Sequence, residues 1–261
     1  MDAIIDNLST GYRQGGGVVR TVSGNIRARL RAGRLTCLVG ANGSGKSTLL
    51  RTLSGAQRPV GGDILIEEDG RTHQVPKGPA RARVFSSVFT IRRSLWGLPV
   101  GELIAMGRIP HTGFFGGLAG EDRKAVERAV ETMGIARLAG RKAHQLSDGE
   151  LQKCLVARAL AQDTPIMLLD EPTAFLDYGS KVEHMAAMAR LARGGKAVLM
   201  STHDIGLALK CADELWVLHQ DGRMETGTPW EMARSGAVEK AVGGNGWAVD
   251  PETMEIEIKQ R

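Results

Sequence analysis

Four short apolar runs, Leu35 to Val39, Ile166 to Leu169, Ala197 to Ser201 and Leu215 to Leu218, each stop at a turn or polar signal, the pattern of strands buried on both faces. Between them the period changes to that of a helix. Val126, Ala129, Val130 and Met133 fall at i, i+3, i+4 and i+7, and so do Val182, Met185, Ala186 and Ala189, predicting one apolar stripe in each segment. Strand and helix in alternation predict an α/β fold with a largely parallel, helix-covered sheet. The first forty residues differ, with Ile4, Leu8, Val18, Val19, Val22, Ile26 and Leu30 scattered among turn residues. Gly61 to Ile66 returns to that style, so a smaller antiparallel sheet is expected beside the first. From about 94 to 160 the character is helical, broken by the glycine-rich stretch His111 to Gly117. From about 222 to 261 lies a C-terminal extension, in which Thr228-Pro229 predicts a turn into a helix and Met254 to Ile258 an edge strand. No repeat or low-complexity linker divides the chain, so residues 1–261 are expected to form one domain.

Composition narrows the function class. The chain of 261 residues is 42% hydrophobic, enough for one sizeable core, and no apolar stretch reaches the length that spans a bilayer. Its first residues lack the basic-then-apolar order of a secretion signal, which predicts a cytosolic protein. Cys37, Cys154 and Cys211 are scattered without metal-binding or disulfide spacing. The formal charge of +5 suits an acidic partner, but the basic residues are spread out and aromatics make up only 4%, so nucleic acid is not expected and a solvated or lipid-facing surface is.

The chemistry starts where the first parallel strand ends. Gly40-Ala41-Asn42-Gly43-Ser44-Gly45-Lys46-Ser47-Thr48 matches the phosphate-loop pattern G-x-x-x-x-G-K-[ST]. Its glycines let backbone N–H groups converge on phosphate oxygens, and the following helix aims its positive end at the anion. Lys46 adds a cation and Ser47 a hydroxyl for Mg²⁺. Ile166 to Glu171 is a strand ending in two carboxylates, of which Asp170 reaches the Mg²⁺ shell and Glu171 faces the terminal phosphate, placed to polarise an attacking water. Val198 to Asp204 repeats the design with His203 just past the strand tip, where an imidazole can hydrogen-bond near the γ-phosphate. His111 sits in the glycine-rich stretch as a candidate partner contact. The histidines at 73, 144, 184 and 219 read as surface or packing residues.

Gln145 to Leu151 precedes a further helix, with Ser147 placed as its N-cap. Taken in order, the phosphate loop at 40 to 48, the L-S-x-G-x signature at 146 to 150, Asp170-Glu171, Ala174-Phe175-Leu176-Asp177 and His203 resemble the nucleotide-binding subunit of ATP-binding cassette (ABC) transporters, over nearly the whole chain. The resemblance implies a P-loop NTPase core with a flanking antiparallel β subdomain and a helical subdomain, binding ATP and Mg²⁺. It implies two copies paired head to tail, so that Ser147, Asp148, Gly149 and Glu150 of one face the γ-phosphate held by Lys46 of the other, with Asp177 across the same interface. Tyr12 falls where the family stacks an aromatic on adenine; a surface turn residue is the other reading.

Two departures stand out. Where the family has a glutamine linking nucleotide to membrane partner, Thr90 stands, a shorter side chain that would act through a water or a closer backbone. The signature reads L-S-D-G-E in place of the commoner L-S-G-G-Q, adding a carboxylate that opposes a triphosphate unless it is turned away or neutralised. Met106 to Gly113, followed by Glu121-Asp122, resembles importers of iron-siderophore, haem or cobalamin complexes. Such a subunit would sit on the cytoplasmic face of the membrane, docked through 94 to 117 on a transmembrane permease served by a substrate-binding protein. A soluble cassette ATPase of ribosomes or DNA, or a cassette for another substrate, is the alternative.

Overall fold

The computed structural model describes residues 1–13, 19–89, 97–113, 117–244 and 246–259. In chain order the first elements are β1 (Asp2–Arg13), β2 (Val19–Leu30), β3 (Leu35–Val39), α1 (Lys46–Ser54), β4 (Gly61–Glu68), β5 (Arg71–Gln74) and β6 (Phe85–Val88). A helical stretch follows, with α2 (Val100–Ala105), α3 (Gly120–Thr132) and α4 (Asp148–Ala161). Strand and helix then alternate through β7 (Ile166–Leu169), α5 (Tyr178–Arg193), β8 (Ala197–Ser201), α6 (Ile205–Cys211) and β9 (Glu214–Leu218). The chain closes with β10 (Met224–Gly227), α7 (Pro229–Arg234), α8 (Ala237–Val242), β11 (Trp247–Val249) and β12 (Ile256–Ile258).

Six strands form the central sheet in the order β10-β9-β3-β8-β7-β6, parallel except for β10. The apolar runs are uninterrupted because both faces of this sheet are covered. Cys37, Met167, Leu169, Val198, Met200 and Val217 enter a core beneath α2 to α8, while Leu38, Leu168, Leu199 and Trp216 enter another. That second core is closed by Leu49, Leu50 and Leu53 of α1 and by Ile5, Leu8, Ile26 and Ile66 of a four-stranded antiparallel sheet, β2-β1-β4-β5. The expected α/β architecture with its flanking antiparallel sheet is what the chain adopts.

Some expectations shift in detail. In α3 the stripe is found, with Ala125, Ala129 and Met133 buried and Val126 and Val130 packed alongside. In α5 the buried face is His184, Met185, Ala187, Met188 and Ala192, while Val182 is 39% exposed, so the inner face is rotated from the one the hydropathy pattern marked. The expected strand from Met254 to Ile258 begins only at Ile256, because Met254 takes a left-handed backbone, φ 57°, in the preceding turn. Met106 to His111 forms a short 3₁₀ turn knotted to α4. Arg108 pairs with Asp122 at 2.9 Å and donates to the Ala161 carbonyl at 2.8 Å, and the His111 ring bonds the Gln162 carbonyl. Its polar groups hold the helices together from inside. Among the described residues no helix is long and apolar enough to cross a membrane.

Candidate nucleotide site

Three neighbouring strands of the central sheet, β3, β8 and β7, end on one edge in near register, with Leu38 beside Ser201 and Leu169 beside Met200. The loop Gly40 to Gly45, the pair Asp170-Glu171 and His203 all follow these tips, the carboxyl edge at which open α/β sheets present ligand sites. A cavity of about 350 Å³ there is lined by Tyr12, Arg20, Val22, Asn42, Gly43, Gly45, Lys46, Ser47, Thr48 and Glu171.

The loop is built tightly. A Cβ on Gly40 would stand 2.3 Å from the Leu218 carbonyl oxygen, so only glycine lets the chain leave β3 against β9. Ala41 N–H donates to the Ala241 carbonyl of α8 at 3.2 Å, which ties the loop to the C-terminal part of the chain. Lys46 is 6% exposed, and its Nζ donates to the carbonyls of Gly40 and Ala41 at 2.8 and 3.0 Å. Burial pushes its ammonium below the ordinary lysine range, against the upward pull of Glu171 and Asp170. Ser44 Oγ is buried with no hydrogen-bond partner among the described residues, and α1, preceded by Gly45 as N-cap, has no side-chain cap and no acid in its first turn. An orphan hydroxyl, a buried cation and uncapped helical N–H groups together suit an anion of several oxygens. Tyr12, 49% exposed, stands at the rim with its hydroxyl 3.0 Å from Thr48 Oγ1.

Opposite the loop, Ser201 Oγ donates to Asp170 Oδ1 at 2.8 Å and accepts the Glu171 N–H at 2.9 Å. Asp170 is 4% exposed, whereas Glu171 is half-buried and lies 2.5 Å from His203 Nε2 through its Oε1. The Glu171 backbone is left-handed, φ 51°, a conformation that costs a non-glycine residue roughly 1–2 kcal/mol. Among the described residues no group of three or more His, Cys, Asp or Glu could hold a metal by itself. One carboxylate, Asp170, and one exposed hydroxyl, Ser47, fit instead a Mg²⁺ whose other ligands arrive with a phosphate and water.

The signature residues lie elsewhere. Ser147, Asp148, Gly149 and Glu150 line a different cavity, of about 580 Å³, with Arg137, Lys153, Phe175 and Asp177. Ser147 caps α4 by accepting the Glu150 N–H at 3.3 Å, and Glu150 returns the bond to the Ser147 N–H at 3.2 Å, a capping box. Asp148 is exposed. Gly149 is tightly enclosed: a Cβ would lie 3.1 Å from both the Phe175 carbonyl oxygen and the Leu176 side chain, which would have to give by a few tenths of an ångström. Asp177 caps α5 by accepting the N–H and hydroxyl of Ser180, and these bonds hold its carboxyl below the usual range. Phe175 and Tyr178 beside it are 60% and 71% exposed. The arginines that face Glu150 and the grip of Ala241 on the loop had no local signal in the sequence. Thr90 lies outside the described residues, as do 94–96 and 114–116 of the expected docking segment.

A family model described as ABC transporter matches residues 23–174. The ferric enterobactin transport ATP-binding protein of Escherichia coli K12 is 34% identical over 91% of this chain and 86% of its own. The cobalamin import ATP-binding protein of Halobacterium salinarum is 38% identical over 78% of this chain; the match spans only 51% of that relative. Among solved structures, one described as an inward-facing metal-chelate-type ABC transporter superposes with a TM-score of 0.76 at 25% identity, covering 92% of this chain and 88% of that one. A bacterial ABC transporter cassette solved as a dimer gives 0.71 at 26% identity, covering 85% and 97%.

Proposed function

This chain belongs to the ABC transporter family, and from that premise we propose that it is the ATP-hydrolysing subunit of an importer, energising uptake of a metal chelate (an iron-siderophore, haem or cobalamin complex) through a separate permease. The observation that carries the reading is the meeting of Lys46, Asp170, Glu171 and His203 at three adjacent strand tips beside an uncapped helix. The named substrates of the relatives support the cargo class: ferric enterobactin in one and cobalamin in another.

ATP is the substrate whose terminal phosphoryl group passes to water, and a bound Mg²⁺ would supply positive charge to its oxygens. The loop backbone from Gly40 to Thr48 and Lys46 bind the phosphates, Ser47 and Asp170 would hold the metal, and Tyr12 faces the base. Glu171 takes the proton of the attacking water, and His203 keeps that carboxylate aimed. Ser147, Gly149 and Asp177 of a second copy close the site, because on one chain they line a cavity apart from Lys46. Nucleotide then joins two subunits and hydrolysis loosens them, which turns chemistry into motion of the permease. The stretch of about 94 to 117 in the helical lobe is the docking surface, at the cytoplasmic face of the membrane, with a substrate-binding protein upstream. Tagged protein purified from detergent-solubilised cells is expected to bring down a polytopic membrane protein. Recovery with ribosomes or DNA in its place would overturn the importer reading.

A further inference from the structure

The start of α4 already spends its polar groups on itself. Glu150 Oε2 accepts both the N–H and the hydroxyl of Ser147, at 3.2 and 3.3 Å, while Ser147 Oγ accepts the Glu150 N–H. The same carboxylate holds two arginines, with Oε1 3.3 Å from Arg137 and Oε2 3.6 Å from Arg141. These bonds and cations keep the Glu150 carboxyl below its usual range, the backbone bond from Ser147 foremost. The two arginines are not alike. Arg141 is anchored a second time, on the Gln145 carbonyl, whereas among the described residues the one partner of Arg137 is Glu150. The Arg137 side chain is 79% exposed and lines the same cavity as Ser147, Gly149 and Asp177.

We propose that Glu150 is a latch on this half of the site: in the free subunit it occupies Ser147 and Arg137, and the γ-phosphate carried by a second copy takes both from it, Arg137 turning from carboxylate to phosphate. The proposal rests on the two-copy reading above. A terminal phosphate offers three oxygens and more charge than a carboxylate, and two of those oxygens match the planar fork of a guanidinium. Arg141, held by its second bond, stays behind to neutralise Glu150 when Arg137 leaves. The exchange answers the problem posed by the two acids of the signature, Asp148 and Glu150, which would otherwise meet a polyanion unshielded. It also makes closure depend on the γ-phosphate, because a diphosphate lacks the group that competes with Glu150.

The test uses the whole chain carrying Glu171→Gln, with ATP and Mg²⁺, and sedimentation to measure the dimer constant. Arg137→Ala is expected to weaken the ATP dimer about tenfold, equivalent to about 1.4 kcal/mol, and Arg137→Lys to recover part of that loss. Fluorescent-nucleotide affinity of the monomer should not change, since the Lys46 loop lies in another cavity. Glu150→Gln keeps a capping oxygen and removes the charge. It should tighten the dimer about threefold, a fraction of the few kcal/mol that charge pairs at interfaces can carry, and the gain should shrink once Arg137 is also alanine, leaving the part that comes from Ser147. An Arg137→Ala protein that dimerises like its parent, or a Glu150→Gln protein that gains nothing or keeps its whole gain without Arg137, overturns the latch alone. A parent that stays monomeric with ATP overturns the two-copy reading, and the latch falls with it.

Discussion

Two helices begin at the two halves of the proposed site, and they begin differently. α1 starts at Gly45 without a side-chain cap or an acid in its first turn, so its leading N–H groups are left for something from outside. α4 starts at Ser147 with two acids and a complete capping box, which answers the Ser147 and Glu150 N–H groups from within. The first is pre-organised by burial inside the sheet: Lys46 hangs on the loop's own carbonyls, and Ser44 waits without a partner. The second sits on an exposed surface and is held by charge pairs. One end keeps donors open for an anion, whereas on the proposal above the other must exchange bonds to receive one.

Four measurements test this contrast. Glu171→Gln, on the sheet side, should cut turnover about 10²- to 10⁴-fold, the range of a lost general base, with ATP affinity retained; undiminished turnover would take Glu171 out of that role. Next comes an acid sensitivity on the signature side. His184 of α5 is 3% exposed, its ring nitrogens have no partner among the described residues, and it lines a cavity that shares Gly134, Lys153 and Ser180 with the signature cavity. Burial, and after it Lys153, pushes the imidazole down to about 4. A ring with a depressed folded-state value binds its proton more readily when unfolded, so stability is full above about pH 6.5 and falls as pH drops towards 4, by about 3 kcal/mol. Melting curves at pH 7.5 and 4.5 should show this loss and show it shrink in His184→Leu. Third, Lys46→Ala should weaken nucleotide binding about a hundredfold, about 2.7 kcal/mol for a buried charge-assisted contact, as read by fluorescent-nucleotide titration. Smallest, Ser147→Ala should cost about 1 kcal/mol of stability through the lost cap and leave monomer nucleotide affinity alone. A fall in that affinity would mean that the two halves are not separate on one chain.

What the sequence disclosed follows the same division. β3, β7 and β8 occupy the residues of the apolar runs, because covering both faces of a sheet leaves an unbroken signal. Lys46, Asp170, Glu171 and His203 were legible because each stands just after such a run. The face of α5 was misplaced since alanines carry little signal and a buried histidine reads as polar. Met106 to His111 was legible as a pattern, yet the structure uses Arg108 and His111 to bind the helices to one another. The pairing of Arg137 and Arg141 with Glu150, and of Ala241 with Ala41, joins residues that no local period connects.

The central sheet sets an order of assembly. β3, which delivers the phosphate loop, finds both its neighbours, β8 and β9, in the last third of the chain, and the loop itself is pinned by Ala241. Loop closure over such a span comes late in folding. A chain still emerging from synthesis therefore has the glycine-lysine sequence but no cleft in which to use it.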